Sequence, residues 1–150
     1  MLMAQAVPTA TAVPCVATLP TRLSFGGATA GNGQARFWLD SDRAGHRAVT
    51  VTLTRACDTS GAGPVPTDEA GTDRLDRDGA AARGGPDRFY RLPGGCVSYD
   101  FSAAARTDPE LVTAAADALG FLARTELVAY VRQQSGQPLC GAGAACPGSP

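Results

Sequence analysis

Two cysteines, Cys57 and Cys96, bracket the least regular stretch of this chain, and each sits against a run of alternating residues. In Ala48 to Cys57, Val49, Val51 and Leu53 share one face while Thr50, Thr52 and Thr54 share the other. A period of two with β-branched residues on both sides is what a half-buried strand requires. In Cys96 to Phe101, Val97, Tyr99 and Phe101 line one face of a second strand. If these strands pair antiparallel, the end of the first meets the start of the second. A Cys57–Cys96 disulfide then closes the base of everything between them. Closing a loop of about 40 residues is worth roughly 4 kcal/mol in chain entropy, less any native strain. One feature opposes the bridge: Cys57 has the parity of Val51 and Leu53, whereas Cys96 has that of Ser98 and Asp100. A cross-strand bridge needs both side chains on one face. The expectation therefore carries a bulge near Arg55, or a Cys96 lying just outside its strand.

The bridge matters because the core is thin. Of the 66 hydrophobic residues, 28 are alanine, only 27 are Val, Leu or Phe, and isoleucine is absent. Scarcity of large apolar groups is half of the signature of a disordered chain. High net charge is the other half, and it is missing, because 13 basic and 14 acidic residues nearly cancel. A chain of 150 residues fits one domain with a single modest core. All 13 basic residues are arginine. This excludes a Walker A loop and a pyridoxal Schiff base, both of which need lysine, and it is what a GC-rich genome encodes. The arginines are scattered among acids rather than gathered in a stripe, so nucleic acid is not an expected partner.

The expected organisation is an α+β fold: an antiparallel sheet of three to four strands with one C-terminal helix packed on it. Residues 1–20 read as a disordered arm or linker, rich in Ala, Thr, Pro and Val. Met1 to Ala17 lacks the basic n-region and unbroken apolar core of a signal peptide. No stretch approaches the roughly 20 apolar residues of a transmembrane segment. The domain proper spans 21–136. Leu23 and Phe25 alternate in a short strand closed by Gly26-Gly27, and Gly31-Asn32-Gly33 marks a turn. In the next strand Ala35, Phe37 and Leu39 face one way and Gln34, Arg36 and Trp38 the other. Residues 58–93, dense in Gly, Pro, Asp and Arg with Leu75 an isolated anchor, read as one long loop. Thr107-Asp108-Pro109-Glu110 is a helix start, with Asp108 as cap and Pro109 in the first turn. Leu111, Ala115, Ala118, Leu119 and Leu122 follow at helical spacing, with a bend expected near Arg124-Thr125. Leu127, Val128, Tyr130 and Val131 carry the helix on to a stop at Ser135-Gly136. Residues 137–150 read as a disordered tail.

Chemistry is sparse. The single histidine, His46, follows Gly45 in a hairpin loop, where a solvated surface role outweighs a Cys–His or Ser–His pair. No GxSxG elbow is present, so no catalytic residue is assigned. Asp40, Asp42, Asp58 and Asp100 lie at strand ends, where carboxylates can cluster by chance. Asp73, Asp76 and Asp78 before Gly79 faintly match a calcium loop but lack its glutamate, and a solvated mixture with the nearby arginines is the blander reading. Cys140 and Cys146 have no CxxC spacing and no neighbouring histidine, so disulfides account for the cysteines better than zinc does. No metal or cofactor is expected. Cys140 and Cys146 can pair in the tail, leaving Cys15 for an intermolecular disulfide. Trp38 is the one binding hint, an aromatic on the sheet face opposite Phe37 and Leu39 that anchors a partner if exposed and packs against helix or loop if not.

Three stretches together, VTLTRACD up to Asp58, LPGGCVSYDF from Leu92 to Phe101, and LGFLARTELVAYVRQQSG from Leu119 to Gly136, resemble uncharacterised extracytoplasmic domains carried by membrane proteins of high-GC Gram-positive bacteria. The resemblance covers roughly residues 34–136. It implies a location outside the membrane, in the cell envelope, and tethering by upstream transmembrane helices. It supplies no functional residues. Three readings of function follow: a non-catalytic envelope domain that binds a protein or wall component through the sheet face or the long loop; a small hydrolase using clustered aspartates; or a structural spacer.

Overall fold

The computed structural model describes residues 2–78 and 85–142. Its centre is a seven-stranded antiparallel sheet built from two meanders. The first is β2 (Leu23–Gly31), β3 (Gln34–Ser41) and β4 (Gly45–Thr54). The second is β5 (Ala62–Val65), β6 (Asp73–Arg77), β7 (Arg88–Leu92) and β8 (Gly95–Phe101). They join along β4 and β8, giving the order β2-β3-β4-β8-β7-β6-β5. The register sets Val51 opposite Tyr99 and Thr54 opposite Cys96. A second, two-stranded sheet pairs β1 (Ala12–Val16) with β9 (Leu119–Ala123). The helices among the described residues are α1 (Leu2–Ala6), α2 (Ala103–Arg106), α3 (Pro109–Ala118) and α4 (Arg124–Ser135). No helix among the described residues is long and apolar enough to cross a membrane.

The expected sheet of three to four strands with one C-terminal helix is therefore incorrect, and three local features explain the miss. First, the stretch taken for a long loop at 58–93 contains β5, β6 and β7. Their side chains are charged because the strands satisfy one another: Asp76 of β6 accepts from both Arg74 and Arg88. Leu75 is not isolated but lies opposite Phe89, and both are buried. Second, the single helix is interrupted. Asp108 caps α3 by accepting from the Leu111 N–H at 3.2 Å, and Gly136 ends α4 in the left-handed conformation at φ 67°. Between them Leu119–Ala123 pairs with β1, so the apolar spacing that suits a helix serves a strand instead. Third, residues taken for an arm supply α1 and β1, and Ala4, Val7, Ala10 and Val13 are buried. At the other end Leu139 is also buried. The expected tail pairing of Cys140 with Cys146 lies outside the described residues.

One face of the large sheet, carrying Phe37, Leu39, Val49, Val51, Leu53, Val97, Tyr99 and Phe101, forms a single core with α1, β1, β9 and the C-terminal helices. Among the described residues, no layer covers the middle strands on the other face, where Arg36, Thr50, Thr52 and Ser98 are half-buried.

Candidate binding face

The Cys57–Cys96 disulfide is formed, with Cα atoms 5.8 Å apart. The parity conflict resolves because β4 ends at Thr54, so the alternation no longer governs Cys57 three residues later. Thr54 Oγ1 donates to the Ala56 carbonyl at 2.8 Å and turns the chain out of the strand. The bridge then lies on the uncovered side of the sheet, in a small cluster with Leu75, Phe89 and Ala62. Arg77 roofs that cluster, its guanidinium 4.9 Å from the Phe89 ring. Arg77 also donates to the Asp58 and Ser60 carbonyls, which fixes the segment that carries Cys57.

Beside this cluster the open face forms a groove of about 500 Å3. Thr50, Thr52 and Thr54 from β4 line its floor, with Ser98 and Asp100 from β8 and Gln34 and Arg36 from β3. The register makes this ladder, since Thr52 lies opposite both Arg36 and Ser98. Arg36 and Arg47 border the groove, and neither has a carboxylate partner among the described residues.

Trp38 belongs to this face but does not project from it. Its indole lies against the backbone of Gly26 and Gly27 in β2. A Cβ at Gly26 would sit 2.5 Å from Cδ1, and one at Gly27 would sit 2.5 Å from Cζ2. Only glycine at both positions lets the ring lie down, and a β-bulge between Phe25 and Gly27 accommodates it. Nε1 is sealed from solvent without an acceptor among the described residues. Above the ring, the Arg47 guanidinium stacks 4.3 Å from its centroid. Arg47 itself has φ 52°, a conformation that a side-chain-bearing residue rarely adopts. Its backbone N–H donates to Asp40 Oδ1 at 2.8 Å, and His46 Nδ1 lies 2.9 Å from the same oxygen. The packing reading of Trp38 thus describes the ring, though the packing partner is a glycine pair and not a helix or the loop. The indole is a platform that holds Arg47 at the border of the groove.

The aspartates that the sequence left as a possible cluster are split: Asp58 and Asp100 both line the groove, while Asp40 and Asp42 lie outside its lining. Asp40 is engaged as above, and Asp58 accepts from Ser60. Asp42 lies in a separate cleft of about 240 Å3 beside Arg22, Arg43 and the start of α3. Asp100 has a carboxylate neighbour, Asp87, but Arg106 lies between them: its Nε donates to Asp87 at 2.8 Å and its Nη2 reaches Asp100 at 3.3 Å. Burial raises the Asp100 pKa, Arg106 opposes this and Asp87 adds to it. No group of three or more His, Cys, Asp or Glu side chains placed to hold a metal ion occurs among the described residues. Sequence reasoning placed Thr50, Thr52 and Thr54 on one face of their strand and Arg36 on one face of its own, but missed Arg47, whose backbone is held by Asp40 near the end of β3.

Asp76 carries a prediction of its own. Burial pushes its pKa up, but Arg74 and Arg88 outweigh that and leave it below the ordinary aspartate value. An acid whose pKa is depressed on folding adds stability that is present above its unfolded pKa of about 4 and is lost as pH falls through the native value. Asp76→Asn is therefore expected to lower stability at neutral pH and to flatten the acid limb below about pH 4. Urea midpoints measured from pH 7 to pH 2 check this; parallel curves for the two proteins would contradict it.

The chain matches no family model, no curated protein and no solved structure.

Proposed function

We propose that this chain is a non-catalytic, extracytoplasmic domain of the cell envelope, and that its open sheet face binds an anionic wall glycan. The carrying observation is the pair Arg36 and Arg47, cations without carboxylate partners among the described residues, set beside a ladder of threonine hydroxyls in a groove of about 500 Å3. Hydroxyls that both donate and accept suit a polyhydroxylated ligand, and arginine forks suit carboxylate or phosphate groups. The disulfide supports an oxidising compartment. The likeness to envelope domains of high-GC Gram-positive bacteria points the same way.

The test is titration of isotope-labelled protein with anionic wall polysaccharide fragments, and with a neutral glycan as control. Amide shifts are expected at Arg36, Thr50, Thr52, Thr54 and Ser98, weakening as salt screens the charges. Replacing both Arg36 and Arg47 by alanine is expected to lower affinity at least about tenfold, since hydrogen bonds to charged groups are worth roughly 1.5–3 kcal/mol each. The glycan should leave the tube uncut. New reducing ends would favour the hydrolase reading instead, and shifts that avoid the β4 ladder would remove the proposal.

A further inference from the structure

The two edges of the large sheet are unlike. At one edge β5 is four residues long and contains Pro64, which has no N–H to offer a further strand. At the other edge β2 runs nine residues, LSFGGATAG, with no proline and no charge. Apart from the β2–β3 ladder, no hydrogen bond among the described residues reaches the backbone of Ser24 to Gly31. From Ser24 to Gly31 only Gly27 is even partly shielded from solvent.

The covering layer reaches this edge through α1 but leaves its side chains open to solvent. The register places Phe25 opposite Leu39, Ala28 opposite Phe37 and Ala30 opposite Ala35, which assigns all three to the core side of the sheet. Yet Phe25 is 61 % exposed, and Ala28 and Ala30 are exposed as well. An apolar margin thus accompanies a row of unpaired backbone groups. Edge strands usually carry lysine, proline or inward-facing charge against such exposure. Here the one irregularity, the bulge after Phe25, is accounted for by the Trp38 indole, and Gly27 to Gly31 beyond it is regular.

We infer that β2 is a self-association edge, pairing antiparallel with β2 of a second copy to give a two-fold dimer with one continuous sheet. A second copy fits better than another partner because two identical strands meeting antiparallel set like against like. That arrangement is repulsive for a charged strand and neutral for this one. The short, proline-bearing β5 edge cannot propagate the pairing, so association closes at the dimer rather than growing into a fibre. The exposed side chains Phe25, Ala28 and Ala30 gain cover from the partner's matching margin. Such a dimer presents two open faces side by side, and it stands whether or not those faces bind glycan.

The test is sedimentation equilibrium of the unliganded protein as concentration rises. The expected mass climbs from the 15.2 kDa monomer to twice that value, with concentration-dependent hydrogen-exchange protection confined to the Gly27–Gly31 amides. Ala28→Lys with Ala30→Lys alters only exposed side chains and is expected to abolish dimerisation without shifting the melting temperature. Mixing that variant with one carrying Ala28→Glu and Ala30→Glu should restore a dimer. A protein that stays monomeric up to about 100 μM, well above the dissociation constant of a small specific interface, overturns the inference. So does a dimer that survives the lysine pair. Protection of the same amides only on adding an unrelated extended peptide would also overturn it, by making β2 a peptide site.

Discussion

Replacing Cys57 and Cys96 together by alanine is expected to cost about 3 kcal/mol of stability, and to lower the melting temperature by roughly 6–12 °C for a domain of this size. The chain-entropy term for a 39-residue separation sets the upper side of that figure. The structure moves it downward for a stated reason. Three strands within the closed loop pair with each other and with β8, so the reduced chain keeps local order that a featureless loop would not. A packing loss acts in the other direction, since Cys96 is 2 % exposed and touches the Phe89 and Leu75 cluster. Loss of protection should also be uneven. The amides of β5 and β6 sit beyond the bridge and depend on it to stay docked. The β3–β4 ladder has its own apolar face and should hold. Thermal melts with and without reductant, followed by hydrogen exchange, read both effects. Coincident melts would show that the bridge merely decorates a sheet already stable without it.

How much of this was legible beforehand depends on whether the signal was local. The strands β3, β4 and β8 show in the sequence because each alternates large apolar residues with polar ones. The cap at Asp108, the proline after it and the stop at Gly136 show because capping is chemistry within a few residues. The strand β6 does not show, because DRLDR has one large apolar side chain and its charges make sense only beside Arg88 of the next strand. The strand β9 does not show either. Leu119 and Leu122 fit a helix as well as a strand, and the deciding partner, β1, lies more than a hundred residues earlier in the chain. The candidate site divides the same way. The threonine face and Arg36 follow from a period of two. The stacking of Arg47 on Trp38 needs Gly26, Gly27 and Asp40 at once, a conjunction drawn from three strands.

The second large effect concerns Arg124, which the sequence marked only as the place of a bend. It is 1 % exposed, and its guanidinium is spent on backbone carbonyls rather than on a carboxylate. Nε donates to Ala10 at 2.7 Å, and Nη2 donates to Ala4 at 2.6 Å and to Val7 at 2.8 Å. Nη1 reaches the Cys140 carbonyl at 3.3 Å. Burial alone lowers the Arg124 pKa, in keeping with a cation that lacks a carboxylate partner among the described residues. Its planar fork therefore holds the N-terminal segment and the residues after α4 against the first turn of α4. Arg124→Met keeps most of the stem and deletes every donor, removing the guanidinium bonds to the Ala4 and Ala10 carbonyls, while the Val7 carbonyl keeps only the Ala10 N–H. The expected cost is about 3–4 kcal/mol, given roughly 1–3 kcal/mol for each stranded buried group and incomplete additivity. Arg124→Lys should recover only part of it, because an ammonium is a point charge and cannot reproduce the spacing of a guanidinium. The readout that separates this role from general packing is regional. Amides in residues 2–16 should exchange faster and the segment should become open to proteolysis, while the β3–β4–β8 centre keeps its protection. Unchanged exchange in residues 2–16 of the methionine variant would mean that apolar burial of Val7, Ala10 and Val13 suffices to dock the N-terminus, with Arg124 a passenger.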